Sequence, residues 1–207
     1  MGDSITHGTT SGSAESYRKP FIDLLSANSC RYQMTGSQTG NFLHNTFNSP
    51  HEGYHGHRAD HTFTGFSSVA GNNEGISVTV ARYQPNIVLL HIGSNDMNQG
   101  QDVNETVGEI DQIISIALAA NSAPTVLVAN VIPWFSNTTV QAQVNSLGDQ
   151  IEAYVAQLNN PRVKLVDVRT GFNQSMMLPD LIHPNPAGEQ HIANRYFAEY
   201  NNSGFCR

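Results

Sequence analysis

Asn86-Ile87-Val88-Leu89-Leu90-His91-Ile92-Gly93-Ser94-Asn95-Asp96 is the stretch that decides the fold. Its apolar run is too short for a typical helix and nearly unbroken, and it stops at a glycine. That pattern predicts a strand buried on both faces, as strands of a parallel sheet are. On its C-terminal side, Val107, Ile110, Ile113, Ile114 and Leu118 recur at helical spacing within residues 103–120. A second apolar run follows at 125–131, a helix at 140–158 and a third strand at 163–168. A last helix spans 186–200, with Pro186 near its first turn. On the N-terminal side, residues 61–82 read as helix in part, interrupted around Gly71-Asn72-Asn73. Residues 36–60, rich in Gly, Asn, His and Ser, read as a long irregular loop, a kind that is usually functional. Before it come a short strand at 31–36 and a helix at 14–27 carrying Tyr17, Phe21, Ile22, Leu24 and Leu25. Strands alternating with helices predict an α/β fold. The expectation is a three-layer α/β/α sandwich with a mostly parallel central sheet, forming one domain over residues 1–207.

Composition narrows the function. Of the 207 residues only 13% are charged, and the net charge is −7 without a basic cluster, so a phosphate backbone would be repelled; no nucleic-acid partner is expected. No run approaches the roughly 18 apolar residues of a membrane span, so no membrane partner is expected either. The chain opens directly on Met1-Gly2-Asp3-Ser4, so any secretion signal is expected to have been trimmed from this sequence. Four Asn-x-Ser/Thr sequons, at Asn104, Asn137, Asn173 and Asn201, together favour a secreted, extracellular protein. A monomer is expected.

In open α/β sheets, sites gather beyond the carboxyl ends of the strands. Three segments fall at such positions: Gly2-Asp3-Ser4, Gly93-Ser94-Asn95-Asp96 and Asp180-Leu181-Ile182-His183. Each alone is an ordinary turn or helix cap. Together they supply what acyl transfer requires: a nucleophile, a base, a group that orients the base, and donors for a developing oxyanion.

These blocks resemble the SGNH (GDSL-type) hydrolase superfamily, whose fold is flavodoxin-like. The resemblance covers nearly the whole chain. It implies that Ser4 is the nucleophile, His183 its base and Asp180 the carboxylate that orients the base. It also implies an oxyanion hole of the Ser4 and Gly56 backbone N–H groups and the Asn95 amide. The glycine block is degenerate: within His51-Glu52-Gly53-Tyr54-His55-Gly56-His57, Gly56 is preferred and Gly53 is the alternative. Gly36-Ser37-Gln38 followed by this block is similar to the carbohydrate esterase family three acetylxylan esterases. That similarity implies removal of O-acetyl groups from plant cell-wall polysaccharide, acetylxylan above all, without a cofactor. A broader lipase or thioesterase, and a non-catalytic carbohydrate-binding protein on an esterase fold, are the alternatives. The superfamily places a buried strand just before Gly-Asp-Ser, reduced here to Met1. The two flanking strands are therefore expected to expose apolar surface unless something else fills the gap.

Other residues are weighed against plainer roles. Asp3 and Asp96 are expected to brace turn backbone. His51, His55 and His57 have spacings that could ligate zinc, but serine-based hydrolysis needs no metal and none is expected; His55 and His57 are taken as substrate contacts. Trp134, following the second apolar strand, is either a structural aromatic or a stacking platform for a sugar ring. Cys30 and Cys206 are either two separate thiols or one disulfide. The disulfide is favoured by the sequons. Across so long a loop it would add roughly 4–5 kcal/mol in the chain-entropy picture.

Overall fold

The computed structural model of the chain describes residues 1–8, 16–40, 48–69 and 71–206. Three parallel strands form the central sheet: β3 (Ile87–Leu90), β4 (Thr125–Ala129) and β5 (Val163–Val166), in the order β3-β4-β5. Val88 pairs with Val126, and Val128 with Leu165. Side-chain alternation along a strand sends successive residues to opposite faces. Accordingly, Val126 and Val128 of β4 enter one core cluster while Leu127 and Ala129 enter the other.

The first cluster lies under α4 (Ile76–Tyr83), α6 (Val103–Ala119) and α7 (Thr138–Leu158), and includes Ile110, Ile113, Ile114, Val144, Leu147 and Ile151. The second lies under α2 (Arg18–Ala27) and α8 (Pro186–Asn202), where Phe21, Leu25, Ile192, Tyr196 and Tyr200 interdigitate. Two helical layers about one parallel sheet make the α/β/α sandwich. The helices begin where the sequence supplies caps: the side chains of Asp102, Asn137 and Asn185 each accept two backbone N–H groups at the starts of α6, α7 and α8. A disulfide joins Cys30, just past α2, to Cys206, just past α8. None of the helices among the described residues is long and apolar enough to cross a membrane.

Three expectations are corrected and one, the interruption near Gly71, is filled in. Residues 31–36 form no strand. Instead of a pairing neighbour, they line a cavity of about 540 Å³ that separates them from Ile87 and Leu89. For the same reason β3 is not buried on both faces: Val88 and Leu90 are buried, while Ile87 and Leu89 are half-buried. The interruption near Gly71 is an antiparallel hairpin of β1 (Phe66–Ser68) and β2 (Gly71–Asn73), between α3 (Ala59–Thr64) and α4. The helix expected over 14–27 begins at Arg18, residues 14 and 15 lying outside those described; residues 41–47 of the long loop do too.

Candidate active site

The chain passes from the sheet into the site through Gly2. Its N–H donates to the Glu52 carbonyl (2.9 Å) and its own carbonyl accepts from Tyr54 N–H (2.9 Å), while Met1 accepts from His91 N–H (3.1 Å). Gly2 thus lies between the end of β3 and residues 52–54, and a Cβ there would sit 2.2 Å from the His91 carbonyl oxygen. Beyond this crossing the chain turns into the short helix α1 (Ser4–His7), capped by Asp3, whose Oδ1 accepts from Ile5 N–H (2.9 Å). Ser4 is its first residue, and a first-turn backbone N–H has no partner within its helix.

A side chain not singled out from sequence fastens this turn from behind. Arg18 is buried and donates to the carbonyls of Thr6 (2.8 Å), His7 (3.3 Å), Gly40 (3.2 Å) and Ser49 (2.9 Å). It ties the serine turn to both flanks of the 36–60 loop. Arginine with five donors in a fixed fork suits such a bundle of carbonyls. The sequence signal was slight: Arg18 stands beside Lys19 at the head of an apolar helix, where two cations read as solvated surface.

His183 sits on a different kind of structure. The turn from Leu178 to His183 closes on itself, with Leu178 N–H donating to the His183 carbonyl (2.8 Å) and Leu181 N–H to that of Leu178 (2.9 Å). Within it Asp180 Oδ1 accepts from the N–H groups of Ile182 (2.9 Å) and His183 (3.0 Å), and Oδ2 faces His183 Nδ1 at 2.8 Å. His183 Nε2 lies 2.8 Å from Ser4 Oγ. Burial alone would raise the Asp180 pKa, but these donors together hold it below the usual carboxylate value. The three residues form one hydrogen-bonded chain of serine, imidazole and carboxylate.

Asn95 lies in α5 (Ser94–Asn98), entered through Gly93 at φ +118°. Its Nδ2 donates to the His57 carbonyl (2.9 Å), and the neighbouring Asp96 Oδ1 accepts from Ala59 N–H (2.9 Å). Two consecutive side chains thereby hold the segment that carries Gly56. The two candidate glycines differ. Gly53 is packed, a Cβ there lying 2.7 Å from the His7 backbone nitrogen, and its N–H already donates to His51 Nδ1 (3.0 Å). Gly56 has φ +74° and open space where a Cβ would go. Its conformation, rather than crowding, calls for glycine.

Burial dominates the ionisable groups beneath the site. It pushes Asp3 up to about 7, with the Asp96 charge adding, and Asp96 up to about 7. It pulls His7 down to about 4 and His51 to about 2, each helped by Arg18. His91 falls to about 4 for the same first reason.

Of the substrate contacts expected from sequence, one is placed at the site. His55 is exposed, with its ring 6.4 Å from that of His183. His57 is corrected: it is 1% exposed, stacked on Tyr54 and 3.2 Å from Ser68 Oγ, so its ring packs the loop. Trp134 is corrected too. It is 5% exposed within the first core cluster and offers no platform to a sugar, because the chain after β4 turns inward before reaching the surface.

The layered sheet and this hydrogen-bonded chain of serine, histidine and aspartate fit one class, the α/β/α ester hydrolases. The sequence profile of the GDSL-like Lipase/Acylhydrolase family matches residues 1–191, and the chain belongs to that family. Among solved structures it is similar to a carbohydrate esterase family 3 from Talaromyces cellulolyticus, at 24% identity and TM-score 0.80, over 98% of this chain and 94% of that one. An acetyl esterase mutant with acetate ion matches at 24% identity and TM-score 0.78, again over 98% and 94%. A family 3 carbohydrate esterase from Clostridium thermocellum matches at 22% identity and TM-score 0.75, over 98% and 93%. No curated protein sequence matches.

Proposed function

We propose that this chain is a secreted serine esterase that removes O-acetyl groups from plant cell-wall polysaccharide, acetylxylan above all, acting as a monomer through an acyl-enzyme. The observation that carries the reading is the relay of Ser4 Oγ, His183 and Asp180, with both contacts at 2.8 Å. With the proton on Nδ1 donated to Asp180, Nε2 accepts the Ser4 proton as Oγ attacks the ester carbonyl. The new C–O bond forms while the carbonyl π pair moves onto oxygen. The Ser4 and Gly56 N–H groups and the Asn95 amide stabilise that oxyanion. Collapse expels the sugar alkoxide, which takes the proton from Nε2. Water then attacks the acetyl-serine with the same base, releasing acetate and restoring Ser4.

The sugar side of the reading is supported by the openness of the site: the relay's own Asp180 is exposed, His55 is exposed beside it, and the solved relatives include carbohydrate esterases. The Cys30–Cys206 disulfide suits an oxidising compartment and supports secretion.

Acetate release from acetylated xylan, measured beside aryl acetate, butyrate and octanoate, tests the substrate. Release from xylan with rates falling as the acyl chain lengthens is expected. A rate rising through octanoate without release from xylan would instead make the protein a lipase, since each methylene buried in an acyl channel is worth about 0.8 kcal/mol. Ser4→Ala and His183→Ala should each remove nearly all turnover while the protein stays folded, and the double variant should be little worse than either. Retained turnover in folded Ser4→Ala would end the nucleophile assignment.

A further inference from the structure

Behind the oxyanion segments, three carboxylates from separate elements converge: Asp60 of α3, Asp96 of α5 and Glu109 of α6. One oxygen from each lies within 4.8 Å of the others. Acidic side chains gather on many protein surfaces, but here one of the three is fully buried and the other two are half-buried. Asp96 is 0% exposed. Its Oδ1 accepts from Ala59 N–H, while its Oδ2 is buried without a hydrogen-bond partner, as is Glu109 Oε2. A buried carboxylate oxygen facing no donor is costly, and native structures rarely keep one without a reason. The charges do not balance either. The nearby cation, Arg58, has Nε and Nη2 engaged on Asp60. His61 lies 3.7 Å from Asp60, and Glu105 adds another negative charge towards Glu109. One guanidinium therefore faces three carboxylates.

We propose that Asp60, Asp96 and Glu109 bind one divalent cation, with Ca²⁺ as the occupant. The donor set is all oxygen and carboxylate-rich, which is what hard cations select over zinc or copper. Oxygens no more than 4.8 Å apart can share an ion at the 2.3–2.6 Å typical of calcium, with water completing the shell. The ion touches neither Ser4 nor the substrate. It ties Asp96, next to Asn95, to Asp60, three residues beyond the His57 carbonyl that receives the Asn95 amide. Its role is to clamp together the two segments that carry Asn95 and Gly56.

Chelator-treated full-length protein, titrated with CaCl₂ in a calorimeter and then melted with and without calcium, tests the site. One ion per chain is expected, with a rise in Tm of roughly 5–10 °C at a hundredfold excess over Kd. Glu109→Gln should lose that rise. Without calcium it should melt at or above wild type, because one of three mutually repelling charges is gone. Asp60→Asn should behave alike in losing the rise. Absence of both heat and Tm shift at millimolar calcium would overturn the proposal, as would a full shift retained in both variants. Glu109→Gln melting lower than wild type to the same extent with and without calcium would also overturn it, assigning Glu109 to the helix rather than to an ion.

Discussion

The two halves of the candidate active site are built by opposite means. The half with Ser4, Gly56 and Asn95 is assembled from segments distant in sequence and held from beneath by buried polar groups: Asp3, His7, Arg18, His51 and Asp96 are all buried. The half with His183 is a six-residue turn whose ordering bonds are nearly all internal, and its Asp180 side chain is 37% exposed. The first half is rigid because its surroundings over-determine it. The second is rigid because Asp180 serves as turn former and imidazole partner with the same carboxylate. Damage to the two should therefore look different: structural and catalytic losses mixed in the first, catalytic loss alone in the second.

The sharpest break should come at Gly53. A methyl group there meets the His7 backbone nitrogen at 2.7 Å and the Thr6 side chain at 2.8 Å, neither able to yield without moving the serine turn. Gly53→Ala should cost both most of the activity and several degrees of Tm. Gly56→Ala meets no neighbour and pays only for a left-handed alanine, about 1–2 kcal/mol. It should remain folded with activity reduced through a disturbed N–H. Melting curves and acetate release on the pair decide this. Equal Tm losses would mean that the two glycines are not distinguished by packing.

Next in size stands Asn95→Ala. An oxyanion donor acts mainly in the transition state, so kcat should fall by roughly 100–1,000-fold with a smaller change in KM. Because the same amide holds the His57 carbonyl, Tm should fall as well. Asp180→Asn is its counterpart on the exposed side. It keeps an oxygen for the N–H groups of Ile182 and His183 but loses the charge facing His183, so kcat should fall while Tm moves by no more than a degree or two. A large Tm loss in Asp180→Asn, or none in Asn95→Ala, would remove the contrast between the halves.

The same contrast explains what could be read from the sequence. Asp180-x-x-His183 was legible because its geometry is local, and the β3, β4 and β5 runs were legible because burial leaves an apolar signature. The choice between Gly53 and Gly56 turns on how close His7 comes to each, which no local pattern encodes. Arg18 escaped notice because its partners are carbonyl groups, which every residue carries. The β1–β2 hairpin is short and mostly exposed, with Phe66 its one large apolar residue, so it has no periodicity to betray it. His57 was misjudged and Trp134 left open because a polar or aromatic residue in a loop can face out or in, and here both face in.

The smallest effect concerns acid. His91 is fully buried at the end of β3, with Ile132 N–H approaching its Nε2 at 3.4 Å, and burial pulls it to about 4 from an ordinary 6.5. Between those values the unfolded chain holds a proton that the folded chain does not. Stability therefore rises with pH across that window; the contribution is complete above 6.5 and lost as pH falls towards 4. His7, shifted likewise to about 4, adds to the slope. The Asp180 carboxylate, held low by its donors, works in a lower window and through an exposed group, so it adds little between pH 4 and 6.5. Asp3 and Asp96, pushed up by burial to about 7, act in the opposite sense over the same range, so the His91 contribution is read as the difference between variant and wild type. His91→Gln removes one titrating group at similar size and should lessen the stability lost between pH 7 and pH 4, by up to about 3 kcal/mol. Urea unfolding at pH 7.0, 5.5 and 4.5 reads the change directly. A variant with the wild-type slope would show that His91 is not the buried group that titrates, and would move the acid response to His7 and its neighbours beneath the serine turn.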